Sequence, residues 1–473
     1  MPVDPLLMNP ILTQVQAARM HAASLSVLSR TGVKVGHAEA LDLLLSAGAR
    51  RDEEDRILIP AHVIEEALEK ARASSSRIQL YSRDGEPAIC LEAGPTYFGT
   101  GSDALQIRDL DTGEIRPAQL RDVGINATVA DAVGYDFVMT MGLPDVDNVY
   151  PRVYAELIRH STRPAVVTGV SLADMQHTFH IAEIVAGGKE ALRAAPRLVG
   201  YVEPISPLFL DEEGVAKLLF MAENEHPFLF AAGANCGATA PVTVEGGVVQ
   251  ANAEFLAGMT IALLKNERAR VISGANTSSM DMRTTVTCYG APEWAKTVAM
   301  YAALGEYYGL PSWGTAGCSD AVEPDFQAGV EAYESILLAL QSRSTLVHDM
   351  AYLKHGLLYD ARMIVLSRML VDRARKLLRP LDFSPAALAG EVIDDVARAR
   401  AGADNYPMHE HTYGHFRQAL WLPPDYWERG QEHTRHLPER LDEIVRDILA
   451  GHRVPPLPAH VDAAIDTFLD TLA

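Results

Sequence analysis

Cysteine is scarce and widely spaced in this chain of 473 residues. The four cysteines, Cys90, Cys236, Cys288 and Cys318, include no CxxC pair, which argues against a zinc knuckle or a disulfide framework and fits a reducing compartment. The N-terminal segment lacks a basic stretch followed by an apolar core, and no uninterrupted apolar run is long enough to cross a bilayer. We therefore expect a soluble cytoplasmic protein with no membrane partner.

Basic residues are in deficit. Lys and Arg total 41 against 62 Asp and Glu, which gives a formal net charge of −21, and no long run of one sign concentrates it. This balance argues against a nucleic-acid partner, because such surfaces are basic. A negative field also attracts cationic ligands, although an acidic surface often serves only solubility.

The common cofactor motifs are missing as well. The chain has no glycine-rich phosphate loop, no HExxH helix, no nucleophile elbow and no dinucleotide fingerprint. The sequence Gly99–Gly101 (GTG) does not lead from a strand into a helix, so it is predicted to be a turn. We expect neither a bound metal nor a tightly bound cofactor, and any chemistry should lie at strand ends.

What the chain does contain is a long alternation of short apolar runs with helical periods of ten to twenty residues, between residues 117 and 380. The expected strands are Phe137–Met141, Ala165–Val170, Leu198–Val202, Phe228–Ala231, Val271–Ser273, Ser312–Thr315 and Thr345–Val347. Seven units are visible and an eighth is expected. The pattern favours an α/β fold with a TIM-type (β/α)8 barrel over a doubly wound open sheet.

The flanking segments differ from this core. Residues 1–116 are predicted to form an N-terminal layer of helices and small strands, and residues 381–473 a helical C-terminal extension. The extension is expected to lie across the barrel or to form a subunit contact, and we expect a homo-oligomer.

The strongest candidate site is Leu310–Gln327, where an expected strand passes into small and acidic residues before a helix. In a barrel such a loop faces the catalytic mouth. Gly314 and Gly317 would allow a bulky ligand to approach the backbone, Trp313 offers a face for a cation, and Asp320 supplies negative charge. Two further acids of this loop are assigned to a helix cap and to solvent.

A second loop, Gly233–Gln250, also follows an expected strand and is rich in small residues. It suits a shallow floor for a flat macrocycle or for a partner's cofactor, with Asn235, Thr239 and Gln250 as its polar groups. A tight turn that packs a helix on a strand is the equally weighted alternative.

The third candidate is the histidine-rich stretch Met408–Arg417. His409 and His411 could share a metal in a loop, but no third ligand is evident, so structural or docking roles are favoured. Aromatic and polar side chains elsewhere could wall a quaternary-ammonium pocket, with plain core packing as the alternative for the aromatics. These candidates are Tyr97, Phe98, Tyr352, His348 and Glu331.

Together these segments resemble the trimethylamine methyltransferase family. The resemblance rests on ATAPVT at Ala238–Thr243, on LPSWGTAGCSDA at Leu310–Ala321 followed by QAG, and on HEHT at His409–Thr412. The opening LSRTGVKVGHAEALDLLLSAGA is similar too, and the resemblance runs from about His21 to Trp427.

This resemblance implies an eight-stranded barrel that passes a methyl group from a methylamine to the Co(I) corrinoid of a separate carrier protein. The expected catalytic residues are Asp320, from its place in the loop after the strand, and Cys318, which the resemblance places near the position that pyrrolysine occupies in the founding enzymes. Because this chain has only standard residues, a glycine betaine-like quaternary amine is expected rather than trimethylamine. The corrinoid-facing residues are then expected to be Asn235, Thr239, Gln250, Gly314, Gly317, His409 and His411. Tertiary amines, or a non-catalytic barrel that binds quaternary amines, are the alternatives, and a metal-dependent hydrolase comes third.

Overall fold

The computed structural model describes residues 11–143, 147–398, 405–428, 430 and 435–472. Its strands are β1 (Lys34–Val35), β2 (Arg50–Arg51), β3 (Ile57–Leu58), β4 (Ile78–Tyr81), β5 (Pro87–Leu91), β6 (Tyr97–Thr100), β7 (Gln106–Arg108), β8 (Ile115–Pro117), β9 (Val138–Met139), β10 (Ala165–Val167), β11 (Leu198–Val202), β12 (Phe209–Leu210), β13 (Pro227–Phe230), β14 (Asn235–Cys236), β15 (Arg270–Ile272), β16 (Ser278–Met280), β17 (Thr287–Cys288), β18 (Trp313–Thr315), β19 (Leu346–Met350), β20 (Tyr352–Leu353) and β21 (Leu358–Tyr359).

The helices are α1 (Gln14–Arg30), α2 (Ala38–Ser46), α3 (Ala61–Ser75), α4 (Leu120–Val133), α5 (Val149–His160), α6 (Leu172–Ala186), α7 (Lys189–Ala194), α8 (Glu212–Glu223), α9 (Val244–Lys265), α10 (Pro292–Tyr308), α11 (Phe326–Ser342), α12 (Ala361–Leu377), α13 (Pro385–Leu388), α14 (Gly390–Ala397), α15 (Glu410–Ala419), α16 (Leu437–Gly451) and α17 (Ala459–Asp470). Short 3-10 turns cover Lys354–Gly356 and Tyr406–Met408.

Eight parallel strands form a ring. One sheet has the order β15-β13-β11-β10-β9 and a second has the order β18-β19-β6. Isolated parallel bridges, Ser273 with Ser312 and Gly99 with Phe137, join the edges of the two sheets. The TIM-type barrel predicted from the sequence is therefore present, and β6 is its eighth strand. Because β6 precedes residue 117, the ring takes one strand from the segment that the sequence assigned to a separate N-terminal layer.

Alternate residues of each strand face two different cores. In β11, Val199 and Tyr201 join the cluster inside the barrel, while Leu198 and Val202 pack against the surrounding helices. A strand buried on both faces reads as a continuous apolar run, which explains why these strands were recognisable in the sequence.

The hairpin formed by β4 and β5 closes the amino-terminal end of the barrel. Its apolar residues Ile78, Leu80, Ile89 and Leu91 belong to the interior cluster. The Tyr81 N–H donates to the Pro196 carbonyl at 2.9 Å, just ahead of β11. A ligand can therefore reach the barrel axis only from the carboxyl ends of the strands.

Two helices differ from the sequence expectation. The segment VYPRVYAELIRH, which holds Pro151, was not recognised, yet it forms α5 with the proline in its first turn, where no intrahelical N–H bond is lost. The helical extension expected from residue 381 onward begins with two short helices, α13 and α14, separated by Ala389 with a φ of 52°.

The C-terminal helices lie across the barrel: α16 packs on α4 and α12, and α17 packs on α5 and α6. Within the described residues, α9 is long and apolar enough to cross a membrane, although no such run was recognised in the sequence. However, 83% of its most apolar window is buried inside the protein.

Candidate active site

A cavity of about 320 Å³ lies at the carboxyl ends of the barrel strands. Apart from β18, each barrel strand contributes to its wall directly or through the loop that follows. The lining residues are Ser102, Asp103, Met139, Thr168, Tyr201, Glu203, Gly233, Asn235, Asn276, Ser278, Thr287, Tyr289, Trp294, His348 and Asp349. This is the end at which barrel enzymes place their active sites.

The charge of the lining is one-sided. Asp103, Glu203 and Asp349 face the cavity, and among the described residues no Lys or Arg lines it. The short strands β14, β16 and β17 form a small sheet above the barrel and bring the polar side chains Asn235, Ser278 and Thr287 to the wall. The cavity is thus polar and acidic.

Asp349 is the most deeply buried of the three acids, with a relative exposure of 3%. Its backbone has a φ of 70°, an unfavourable value for a residue with a side chain, of the kind found where a site demands it. Burial raises the pKa of Asp349 to about 8, and burial lowers the pKa of the neighbouring His348 to about 3. Asp349 Oδ1 lies 3.0 Å from His348 Nδ1.

Glu203 is held by a chain of hydrogen bonds that leads down into the barrel. The Tyr201 hydroxyl donates to Glu203 at 3.2 Å, and Asn276 Nδ2 donates to the Tyr201 oxygen at 2.8 Å. The Trp313 indole N–H donates in turn to Asn276 Oδ1 at 3.2 Å. Desolvation by the cavity walls raises the pKa of Glu203 and of Tyr201.

Asp103 secures the loop after β9. Its Oδ1 accepts the Gly142 N–H at 2.6 Å, and its Oδ2 accepts the Tyr150 hydroxyl at 3.0 Å. The aromatic part of the wall is formed by Tyr201 and by Tyr289 with Trp294, whose ring centroids lie 4.1 Å apart.

The structure places Trp313 below the cavity rather than on its wall. Its side chain is fully buried in the barrel interior, and its ring packs edge-on against His348 with centroids 4.1 Å apart. The sequence position was read correctly as a strand, but the alternation along β18 turns this residue inward. Among the described lining residues, Trp313 is not present.

Asp320 and Glu331 act on the loop that carries Tyr289. Asp320 Oδ1 accepts the Tyr289 N–H at 2.7 Å, and Glu331 Oε2 accepts the Asp320 N–H at 2.9 Å and the Ser319 hydroxyl. Cys318 is buried, its thiol donates to the Tyr289 carbonyl at 3.4 Å, and burial raises its pKa well above the ordinary value. All three residues lie behind the wall.

The two glycines of this loop are explained by packing. A side chain on Gly314 would meet Ser344 and Val298, and one on Gly317, where φ is 75°, would meet the sulfur of Met350. Neither glycine lines the cavity.

Of the second candidate loop, Asn235 reaches the cavity. Its Nδ2 donates to Thr287 Oγ1 at 2.7 Å, while its buried Oδ1 has no hydrogen-bond partner among the described residues. The Thr239 hydroxyl accepts the Asn235 N–H at 2.9 Å, and Gln250 Nε2 donates to the Thr239 carbonyl at 2.9 Å. Thr239 and Gln250 therefore shape the loop behind Asn235.

The remaining aromatic candidates lie away from the lining, and only His348 joins it. Tyr97 sits at the start of β6 beside the closing hairpin, where its hydroxyl accepts the Cys90 N–H. Phe98 packs outside the ring under Arg375, and Tyr352 is buried against Tyr359.

His409 and His411 begin a helix, α15, rather than forming a metal-binding loop. The His409 side chain caps the helix by accepting the His411 N–H at 3.1 Å, and His411 contacts the Ala386 carbonyl. Neither lines the cavity. Among the residues that the structure describes, no group of three or more His, Cys, Asp or Glu is arranged to hold a metal ion.

Sequence reasoning missed most of the wall. Its members follow strands that had been recognised, as in YVEP with Glu203, SGANTSS with Asn276, and VHDM with Asp349. The stretch Gly99–Gly101 was predicted to be a turn, but Gly99 and Thr100 end β6, and Asp103 follows them at the mouth. The signal that could have found these residues is their position. Each is among the first polar residues after a barrel strand, and every strand end should have been considered equally.

Comparison with known protein families agrees with the resemblance found in the sequence. The model of the trimethylamine methyltransferase (MTTB) family matches residues 3–472. The chain belongs to this family. The resemblance read from the sequence is confirmed, and with it the assignment as a methyltransferase that uses methylated amines.

Relatives in the family differ in the amine that their names record. The chain is 27% identical to a trimethylamine methyltransferase of Desulfitobacterium hafniense, over 95% of this chain and 91% of that protein. It is 24% identical to a glycine betaine methyltransferase of the same species, over 97% and 96%.

Solved structures support the fold. The Methanosarcina barkeri monomethylamine methyltransferase matches with a TM-score of 0.53 at 11% identity, over 95% of this chain and 89% of that one. A hydroxylamine complex of the monomethylamine enzyme gives a TM-score of 0.54 at 11% identity, over 99% and 89%.

Proposed function

We propose that this family member removes a methyl group from a small quaternary amine bound in the cavity and passes it to the Co(I) corrinoid of a carrier protein. The observation that carries the proposal is the cavity lining: three acids and three aromatic side chains, with no Lys or Arg among the described residues. A desolvated cation gains from both kinds of group, by up to roughly 2 kcal/mol over an aromatic face alone.

The rim of the cavity supports a large, apolar methyl acceptor. Exposed apolar side chains stand on successive loops that follow β10, β11, β13 and β15, namely Val170, Ile205, Val242 and Met282. Gly233 lines the mouth between them without a side chain. Exposed apolar groups clustered around a mouth are typical of an interaction surface, and a flat macrocycle held by a carrier protein suits this one.

The chemistry requires little from the protein beyond alignment. The carrier's Co(I) supplies the nucleophile, the C–N bond breaks with its electron pair left on nitrogen, and a neutral tertiary amine departs. No proton is needed when the substrate is quaternary. The residues of this chain hold the ammonium group and exclude water, and correct alignment of the reacting atoms can account for much of the rate.

The second candidate is a tertiary amine. Its nitrogen must carry a proton at methyl transfer so that a neutral secondary amine can leave. Asp349 has a pKa of about 8, which keeps it largely protonated at neutral pH, and it faces the cavity. This buried acid can supply that proton.

Chemically reduced cobalamin, offered with tetramethylammonium, choline, glycine betaine and trimethylamine in turn, tests the proposal. We expect methylcobalamin and one equivalent of demethylated amine from at least one quaternary compound. Transfer from trimethylamine alone would favour the second candidate. Binding without transfer from any of the four would indicate a binding protein built on the same barrel.

A further inference from the structure

Four buried polar atoms of the lining have no hydrogen-bond partner among the described residues, and His348 Nδ1 is one of them. Asp349 Oδ1 and Asn235 Oδ1 are buried, line the cavity and have no hydrogen-bond partner among the described residues. The Trp294 indole N–H is the unpaired atom of the lining that can only donate. A buried polar group without a partner is costly, so a bound ligand is expected to satisfy these atoms.

A ligand carboxylate fits this lining poorly. It brings a negative charge into a space already lined by Asp103 and Glu203, and by Asp349, which ionises as the pH rises towards about 8. Lys217, whose charge acts on Glu203, does not line the cavity; its ammonium group donates to the Gly169 carbonyl at 2.7 Å and to the Val170 carbonyl at 3.2 Å. Like charges brought together at one site disfavour binding.

We infer that the substrate is a quaternary ammonium compound without a carboxylate, of the hydroxyalkyl or simple alkyl kind. The inference rests on the proposed function and narrows its substrate, and it replaces the glycine betaine-like amine expected from the sequence. A hydroxyl group both donates and accepts, so it suits acceptors such as Asn235 Oδ1 and a donor such as the Trp294 N–H. The site discriminates by repelling the wrong ligand as well as by holding the right one.

Choline and glycine betaine form a matched pair for the test, because they share the trimethylammonium group and differ in a hydroxymethyl against a carboxylate. Calorimetry on the full chain should give a Kd for choline at least about tenfold lower than that for glycine betaine. Replacing Glu203 by Gln removes one charge and keeps the shape. Glu203→Gln should therefore raise the Kd for choline and lower the Kd for glycine betaine, which reduces the ratio of the glycine betaine Kd to the choline Kd.

The control is Glu69→Gln, which makes the same change on the exposed face of α3, away from the cavity. It should leave both Kd values unchanged. If Glu203→Gln fails to fold, as judged by its melting temperature, Asp349→Asn provides the same comparison from the opposite wall when binding is measured above about pH 8, where Asp349 is ionised.

The ratio of the glycine betaine Kd to the choline Kd should also increase as the pH rises towards about 8. Asp349 ionises in that range and then repels the carboxylate of glycine betaine. The ionisable side chains that face or surround it are Asp103, Glu203, His348, Tyr201, Tyr289, Cys318, Tyr352 and Tyr359. His348 stays neutral throughout, because burial holds its pKa at about 3.

The possible failures are distinct. If glycine betaine binds as tightly as choline, or is the one compound demethylated, the inference is wrong and the proposed function stands. If neither compound binds nor transfers a methyl group, the proposed function itself is wrong.

Discussion

Asp349 shows how one position can be both costly and useful. It is a buried carboxyl group with positive φ at a strand end, and the bend continues to Ala351, whose φ is 85°. Strain and desolvation of this kind are retained where a site needs them. In this protein the result is an acid that faces a cavity and is neutral near pH 7.

The raised pKa of Asp349 should make the stability of the fold depend on pH. Its pKa rises from 3.8 in its ordinary state to about 8 in the fold, so the folded state holds a proton that the unfolded state releases. Stability is therefore lost as the pH rises between these values. The melting temperature of Asp349→Asn, relative to that of the parent, should increase by a few degrees as the pH is raised from about 6.5 to about 8. Scanning calorimetry of both proteins across that range measures this, and parallel curves would contradict it.

Trp313 was predicted from the sequence to present its face to the substrate cation. The structure places it one layer lower, where it fills the barrel and orients Asn276. Trp313→Ala should therefore cost about 3–5 kcal/mol of unfolding free energy, the usual range for deleting a large buried aromatic. Denaturant titration measures this loss. In the protein that still folds, the affinities for choline and for its uncharged carbon isostere should fall by similar factors. A loss of affinity confined to choline would show that Trp313 does bind the cation.

At the scale of elements, the loop between β18 and α11 was identified for the wrong reason. It was read as the wall of the site, but its Asp320 holds the neighbouring loop after β17 through the backbone N–H groups of Tyr289 and Gly290. Sequence patterns locate a loop at the mouth, but which neighbouring loop its side chains hold depends on tertiary packing.

Asp320→Asn should therefore loosen Tyr289 rather than remove a charge from the substrate. The amide can accept one N–H but presents its own NH₂ to the other, at a cost of about 1–2 kcal/mol. We expect choline binding to weaken by a similar factor to that of its uncharged isostere. Asp325→Asn is the control, since asparagine keeps the cap of α11. Weakening confined to the cation would show that Asp320 acts directly by charge.

The elements themselves followed the sequence closely, with informative exceptions. Seven barrel strands were visible because they are apolar on both faces. The eighth, β6, was assigned to the N-terminal layer because its sequence neighbours belong to the closing hairpin, although it pairs with β19, which lies far along the chain. Pairing between distant segments has no local signature, and this also explains why Asp103 was missed.

For the whole molecule, closure of the barrel unites side chains from seven strand ends in one acidic space. The net charge of −21 has the same sign as this space, so the surrounding field favours the approach of a cation. A larger apolar groove of about 860 Å³ lies between α11, α12 and the start of α16. It offers a location where an ammonium compound could bind outside the barrel, and it is lined by Phe326 and Trp427 among others.

The most direct measurement of the central claim is a crystal structure of the protein with a bound quaternary ammonium ion such as choline. The account predicts the ammonium group inside the barrel mouth, in contact with Asp349, Glu203 and the ring of Tyr289. A molecule bound in the apolar groove beside Trp427, with the barrel cavity holding only water at saturating choline, would contradict it.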